Sequence, residues 1–159
     1  MSDDVLKLAY EAACSALREQ DATLTSLRNR ATGLLSAAAV VTSLATAIGV
    51  VDTGTGQGAM LPVWAGWTLL ALVCLIGVSS MFAVWPAANW NFGPDPAKLL
   101  ASAGTDVDEV RRSATTALVS AITINDASIA ARGKAYRVGA ALLLAEMIVL
   151  VAAALTGGG

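Results

Sequence analysis

The sequence contains no histidine, and only 14% of its residues are charged. A chain without histidine cannot build a Ser-His-Asp triad, a histidine general base or a histidine-ligated metal site. It also has no CxxC pair, no pair of neighbouring carboxylates suited to acid-base catalysis and no Walker motif. We therefore expect a protein that is not an enzyme and that uses no cofactor or metal. The net charge of −2 gives no reason to expect a nucleic acid polymer as a partner.

Long apolar runs take the place of charge, since hydrophobic residues make up 56% of the chain. Three runs, 33–51, 60–85 and 138–155, contain a single charged residue, Glu146. At a helical rise of about 1.5 Å per residue, each run approaches the ~30 Å hydrocarbon thickness of a bilayer. We predict three transmembrane helices at these positions, and no cleaved signal peptide, because some thirty polar and amphipathic residues precede the first run.

The basic residues all lie on one side of the predicted spans. Four precede the first span and six lie between the second and third: Lys7, Arg18, Arg28, Arg30, Lys98, Arg111, Arg112, Arg132, Lys134 and Arg137. The positive-inside rule then places the N-terminus in the cytoplasm and the C-terminus outside, in the inner (plasma) membrane of the cell. In this topology Cys14 is cytoplasmic and Cys74 lies in mid-membrane, so a disulfide between them is implausible.

The segments between the spans complete an all-α organisation. We predict a cytoplasmic amphipathic helix over 1–32, an outer loop over 52–59, an interfacial cytoplasmic loop over 86–104 and a second cytoplasmic helix over 105–137. Both cytoplasmic helices continue directly into a span, so they should run parallel and form a stalk with coiled-coil character.

Apolar residues recur at steps of three and four along both cytoplasmic helices, which is the period of a helix packed on another helix. In the first helix they are Leu6, Ala9, Ala13, Leu17, Gln20, Leu24, Leu27, Ala31 and Leu34. In the second they are Val107, Val110, Ala114, Ala117, Ala121, Ile124, Ser128, Ala131, Ala135, Val138, Leu142 and Ala145. The second series runs without a break through Gly133, which predicts one continuous helix. Alanine-rich seams bury little area, so we expect a homo-oligomer whose copies complete each other's cores.

Glu146 is the strongest candidate for a functional residue, because a carboxylate near the middle of a bilayer is costly. Thr42, Ser43 and Cys74 are predicted at a similar depth and are its candidate partners. Two interpretations stay open. Glu146 is either a neutral group that serves helix packing, or one member of a ring that lines a pore or relays protons in an oligomer.

Five bases form a predicted collar at the inner membrane interface: Arg28, Arg30, Arg132, Lys134 and Arg137. The collar either carries the positive-inside signal and attracts anionic lipid, or binds an anionic signal such as a nucleotide. Gln20 either fixes the register of the stalk or faces water. Asn125 and Asp126 either mark a polar contact between the stalks of neighbouring copies or are solvated.

The run from Leu17 to Ala39, LREQDATLTSLRNRATGLLSAAA, resembles the point where the helix meets the membrane in small multi-pass actinobacterial membrane proteins. The layout of the whole chain also resembles the SLATT and Pycsar-type transmembrane effectors. This resemblance implies an effector that impairs the inner membrane when triggered through its cytoplasmic helices. The alternative is a membrane scaffold or assembly factor whose stalk docks a cytoplasmic protein.

Overall fold

The computed structural model describes residues 3–50, 63–86, 90–102 and 104–157. Four helices account for most of them: α1 (Asp3–Val50), α2 (Val63–Val84), α3 (Pro96–Ala101) and α4 (Val107–Gly157). The described residues form no β-strand, so the all-α prediction is confirmed. The predicted outer loop at 52–59 lies outside the described residues.

α4 is a single helix of 51 residues that passes through Gly133, so its predicted continuity is confirmed. α1 is also continuous, over 48 residues. Three helices, α1, α2 and α4, are long and apolar enough to cross a membrane. α2 ends at Val84, shortly before Pro86. Proline has no N–H to donate and its ring clashes with the preceding turn, so the helix cannot continue through Pro86.

The chain divides into two compact units, and α1 and α4 contribute residues to each. The first unit consists of Met1–Ser26 and Pro86–Ala131. The second consists of Leu27–Trp85 and Arg132–Gly159. By sequence, the first unit has ten acidic and five basic residues, whereas the second has two acidic and five basic residues.

Within the first unit, α1 and α4 run in the same direction. Arg111 pairs with Asp3, and Gln20 bonds to Asp126, so the contacts ascend both helices together. The side chain of Leu118 approaches Gly93, where the chain adopts a positive φ of 100°. Glycine is favoured there, because this backbone conformation is strained for other residues and because a Cβ would lie 2.9 Å from Leu118 Cδ2.

Within the second unit, the core is a small cluster formed by Leu34, Ala38 and Ile76. Tyr136, Ala140, Leu142 and Leu143 of α4 pack against it. Gly139 lies where the three helices meet, since a Cβ there would be 2.7 Å from Leu34 Cδ2 and 3.3 Å from Ser79 Oγ. The Ser79 hydroxyl donates to the Ala135 carbonyl at 2.6 Å, which joins α2 to α4 directly.

The predicted seam of α1 is confirmed, because all nine of its residues are buried or half-buried. The predicted seam of α4 is only partly correct. Ala114, Ala121, Ser128, Ala135 and Leu142 do face inward, and Val110 and Ala145 are half-buried. Five predicted positions are instead exposed: Val107, Ala117, Ile124, Ala131 and Val138. In the last four of these cases the buried position is the next residue along the chain.

Those buried positions form a line at seven-residue intervals on α4: Leu118, Asn125, Arg132, Gly139, Glu146 and Ala153. A seven-residue interval is typical of helices that pack with a left-handed supercoil. Three of the six residues are polar and one is glycine, so a search for apolar residues could not have found the line. This mixture is the physical reason for the error in the predicted seam.

Candidate functional site

The structure brings Glu146 and Thr42 together inside the second unit. Glu146 is 0% exposed, and its Oε1 lies 3.1 Å from the Thr42 hydroxyl oxygen. The same hydroxyl lies 2.9 Å from the Ala38 carbonyl of its own helix. The second carboxyl oxygen of Glu146, Oε2, is buried and has no hydrogen-bond partner in the described part of the chain.

These distances fit a protonated glutamic acid. A hydroxyl has one hydrogen to donate and two lone pairs to accept with. If Thr42 donates to Ala38, the Glu146 acid can donate from Oε1 to Thr42, and Oε2 is then a neutral carbonyl oxygen. An unfilled neutral acceptor costs about 1–3 kcal/mol, which is far less than an unpaired buried charge. The geometry therefore favours the packing interpretation of Glu146.

The other two predicted partners of Glu146 point elsewhere. Ser43 is exposed, and its hydroxyl donates back to the Ala39 carbonyl at 2.8 Å. Cys74 is also exposed. Ser43 instead belongs to a stripe of exposed hydroxyls on α1, which we call the hydroxyl stripe and which consists of Thr32, Ser36, Ser43 and Thr46.

The hydroxyl stripe occupies one face of α1. Its members are separated by three, four or seven residues, and at about 100° per residue they fall on the side away from the buried alanines. Each hydroxyl donates to the carbonyl four residues earlier, at 2.8–3.1 Å. The stripe therefore satisfies its own donors and still presents oxygen lone pairs outward.

The predicted basic collar contains two kinds of side chain. Arg132 is buried and Arg28 is half-buried, whereas Arg30, Lys134 and Arg137 are exposed. A guanidinium nitrogen of Arg132 donates to the Ala83 carbonyl at 3.1 Å and also to the Trp85 carbonyl, at the end of α2. Burial lowers the pKa of Arg132 below its ordinary value, and the nearby charge of Arg28 lowers this pKa further.

In the first unit, two polar side chains make contacts that the sequence only suggested. Gln20 is buried, and its amide donates to the Ile122 carbonyl at 2.9 Å and to Asp126 at 2.7 Å. The interpretation that Gln20 faces water is therefore wrong. Asn125 is 0% exposed and bonds the backbone of Asn91 twice, accepting at 3.0 Å and donating at 2.9 Å. Asn125 thus joins the loop after α2 to α4, and Gln20 joins the first half of α1 to α4.

In the parts of the chain that the structure describes, no three His, Cys, Asp or Glu side chains lie close enough to hold a metal ion. The first unit also has an open crevice of about 420 Å³ beside Tyr10 and Arg111. The Arg111 guanidinium in this crevice is engaged by Asp3 and Asp108.

The fold and the candidate site define a helical protein with three helices able to span a membrane. The buried face of the longest helix, α4, carries the polar residues Asn125, Arg132 and Glu146. No family model, curated protein or solved structure matches this chain.

Proposed function

We propose that this protein is a non-enzymatic membrane protein that crosses the bilayer three times, assembles with copies of itself and perturbs the membrane when its cytoplasmic helices change their packing. The first support is the exposure of the apolar helices. Only 17%, 22% and 17% of the residues in the most apolar windows of α1, α2 and α4 are buried within the chain. Lipid or further copies would cover the remainder.

The aromatic residues of α2 support membrane crossing. Trp64 and Trp67 are exposed at one end of this helix, and Phe82 and Trp85 are exposed at the other. The rise from Trp64 to Trp85 is about 31 Å at ~1.5 Å per residue, which matches the hydrocarbon thickness. Tryptophans at both ends of a span are typical of the two membrane interfaces.

The charge distribution supports the predicted orientation. All five bases of the second unit come from the segments that adjoin the first unit in sequence, 27–30 and 132–137. Basic residues on one side of the spans favour retention of that side in the cytoplasm. The first unit would then be cytoplasmic, and α1 and α4 would form the parallel stalk.

Topology can be tested with single cysteines at Thr55 and Ser113 in a background that lacks Cys14 and Cys74. Membrane-impermeant maleimide should label the two positions from opposite sides of the membrane. Labelling of both from the same side would refute the three-span topology.

The hydroxyl stripe is the observation that carries the proposal of an oligomeric effector. Hydroxyls that face away from the bundle are poorly suited to lipid contact, and small polar residues in spans favour helix association. In an oligomer the stripe would lie between copies or line a water-filled path. Ser43 would then lie near the middle of the predicted span 33–51. The resemblance to SLATT and Pycsar-type effectors agrees with such a path.

The experiment compares Ser43→Leu with Ala37→Leu in liposomes that contain the purified protein. Both substitutions add a bulky apolar side chain to an exposed position of α1, but only Ser43 belongs to the hydroxyl stripe. We expect Ser43→Leu to reduce crosslinked oligomers and ion flux, and Ala37→Leu to leave both unchanged. Equal effects, or no flux from wild-type protein at any loading, would contradict the effector proposal.

The alternative is a scaffold whose stalk docks a cytoplasmic protein. It is favoured by the surface of the first unit, where Leu8, Phe92, Leu100 and Val107 are each at least 65% exposed. This unit is also acidic, so a partner with a basic rim around an apolar patch would fit it. Absence of flux together with monomeric behaviour in detergent would favour this alternative.

A further inference from the structure

The crevice of the first unit lies between the start of α4, the end of α3 and the N-terminal part of α1. Its volume of about 420 Å³ falls within the range typical of small-molecule sites. Tyr10 of α1 and Leu99 of α3 line it, together with Val107, Val110 and Ala114 of α4. The exposed surface of its wall is mostly apolar. The crevice therefore suits a ligand with an apolar body.

The side of the crevice that α3 forms is loosely packed. No residue of α3 is buried, and Leu100 is 78% exposed. Gly104, between α3 and α4, has a φ of 107°, and a Cβ there would have nothing within 4 Å. The described part of the chain thus leaves this space unfilled, so a molecule from outside can enter it.

The acids beside the crevice outnumber the base that lines it. The Arg111 guanidinium lines the crevice and pairs with both Asp3 and Asp108. Loss of hydration is the largest cause of the raised pKa of Asp108, and the charges of Asp3 and Asp106 raise this pKa more than Arg111 lowers it. Asp106 directly precedes Val107, which lines the crevice. One base thus faces three acids, and the resulting negative potential attracts cations and repels anions.

The other charged side chains close to the crevice in sequence balance one another in number. Three bases are exposed and do not line it: Lys7, Lys98 and Arg112. Three acids are also exposed and do not line it: Asp4, Glu11 and Glu109. The excess negative charge at the crevice is therefore that of Asp3, Asp106 and Asp108 over Arg111.

We propose that this crevice binds a small organic cation whose apolar body packs against Val107 and Val110 and whose charge lies close to Asp106 and Asp108. The ring of Tyr10 adds an aromatic surface, which attracts cations. Both acids are exposed, so each contributes as an exposed ion pair does and the cation keeps part of its hydration. Binding of this kind requires neither oligomerisation nor ion flux, so it goes beyond the proposed function.

The test uses three probes that share a benzene ring and differ in charge. Benzyltrimethylammonium is the cation, benzyl alcohol is the neutral probe and phenylacetate is the anion. Each is titrated into the full-length protein in detergent, and broadening of the NMR signals of the probe reports binding, with protein-free detergent as the blank. We expect the cation to bind about tenfold more tightly than the anion, with the neutral probe between them and with added salt reducing the difference.

Two variants with matched controls locate the binding. Val107→Phe adds bulk at the wall of the crevice, and Val119→Phe makes the same change at an exposed position of α4 outside it. Asp106→Asn removes one of the three acids but keeps a residue suited to the start of a helix. Asp21→Asn removes the same charge from α1, about 16 Å beyond Tyr10 at ~1.5 Å per residue.

We expect Val107→Phe to abolish binding of both the cation and benzyl alcohol. Asp106→Asn should weaken binding of the cation alone, by about two- to fivefold, the effect of one exposed ion pair. Val119→Phe and Asp21→Asn should bind as wild type does. Equal affinity for cation and anion, or equal effects of the variants and their controls, would overturn the proposal. Loss of crosslinked oligomers in Val107→Phe, with no binding of benzyltrimethylammonium to wild type, would also overturn it and would assign the crevice to a second copy.

Discussion

Thr42 and Glu146 are 104 residues apart in the sequence, yet their side-chain oxygens lie 3.1 Å apart in the structure. The contact joins α1 to α4 within the second unit. It also places a fully buried carboxyl group against a hydroxyl that has its own carbonyl acceptor, Ala38 O. This arrangement accommodates a neutral acid, and it accommodates a charged carboxylate poorly.

The first prediction concerns this pair. Glu146→Gln should leave stability and flux nearly unchanged, because the amide can donate to Thr42 as the protonated acid does. Glu146→Leu and Thr42→Val should each destabilise the protein, with a coupling energy of about 0.6 kcal/mol and at most ~1.7 kcal/mol. Unfolding of the two single variants and the double variant in mild denaturant measures this coupling. Altered flux in Glu146→Gln would instead show that a charge at this position faces an ion path.

The second prediction concerns the close approach at Gly139. Gly139→Ala should destabilise the second unit by about 1–3 kcal/mol, since its Cβ would overlap Leu34 and press on Ser79. Gly133→Ala is the control, because a Cβ there has nothing within 4 Å. Alanine should stabilise α4 at that position by up to ~1 kcal/mol through its higher helix propensity. Thermal unfolding of the two variants checks the contrast. Similar effects of the two substitutions would argue against close contact at Gly139.

The third prediction concerns Asn125. Asn125→Ala should destabilise the first unit by about 1–3 kcal/mol, because it removes both hydrogen bonds to the Asn91 backbone, each of which contributes about 0.5–1.5 kcal/mol. Thr123→Ala is a matched control, since Thr123 is exposed and donates only to its own helix. That variant should stay within ~0.5 kcal/mol of wild type. Faster proteolysis of the chain near Trp90 in Asn125→Ala alone would confirm that this side chain holds the loop.

The fourth prediction concerns pH and the start of α4. Loss of hydration raises the pKa of Asp108 above its ordinary value of 3.8, and the hydrogen bond and charge of Asp3 raise it further, against the opposing effect of Arg111. A raised pKa in the folded state means that folding favours the protonated carboxyl. The resulting stabilisation is present in full below the ordinary value and is lost as pH rises through the folded value.

The contribution of Asp108 to stability should therefore fall as pH rises through the acid range. Asp108→Asn should remove this dependence and should make the protein more stable at neutral pH than wild type is. Glu11→Gln removes the same charge elsewhere in the first unit and should keep the dependence. Thermal unfolding across the acid range distinguishes them. A steeper pH dependence in Asp108→Asn would show that the sign is wrong.

The sequence determined the class of structure because that class follows from periodicity and length. Three apolar runs, a three-four repeat and the absence of Gly or Pro between Val107 and Arg132 require long helices. The seam of α1 was also predictable, since nearly all of its inward residues are apolar. The line of buried residues on α4 could not be predicted in this way. Three of its members, Asn125, Arg132 and Glu146, are polar, so a search for apolar residues does not select them.

Only the tertiary structure decided which of two neighbouring residues turns inward. Thr42 and Ser43 are adjacent and chemically alike, yet Thr42 meets Glu146 and Ser43, about 100° further around the helix, is exposed. Arg28 and Arg30 differ in the same way. In water, burial of apolar side chains selects the inner face of a helix, but in a proposed membrane span lipid accepts apolar side chains on any outer face. The face of a helix that turns inward must then be selected by close approach and hydrogen bonding to other helices. Those contacts exist only once α1, α2 and α4 are packed together.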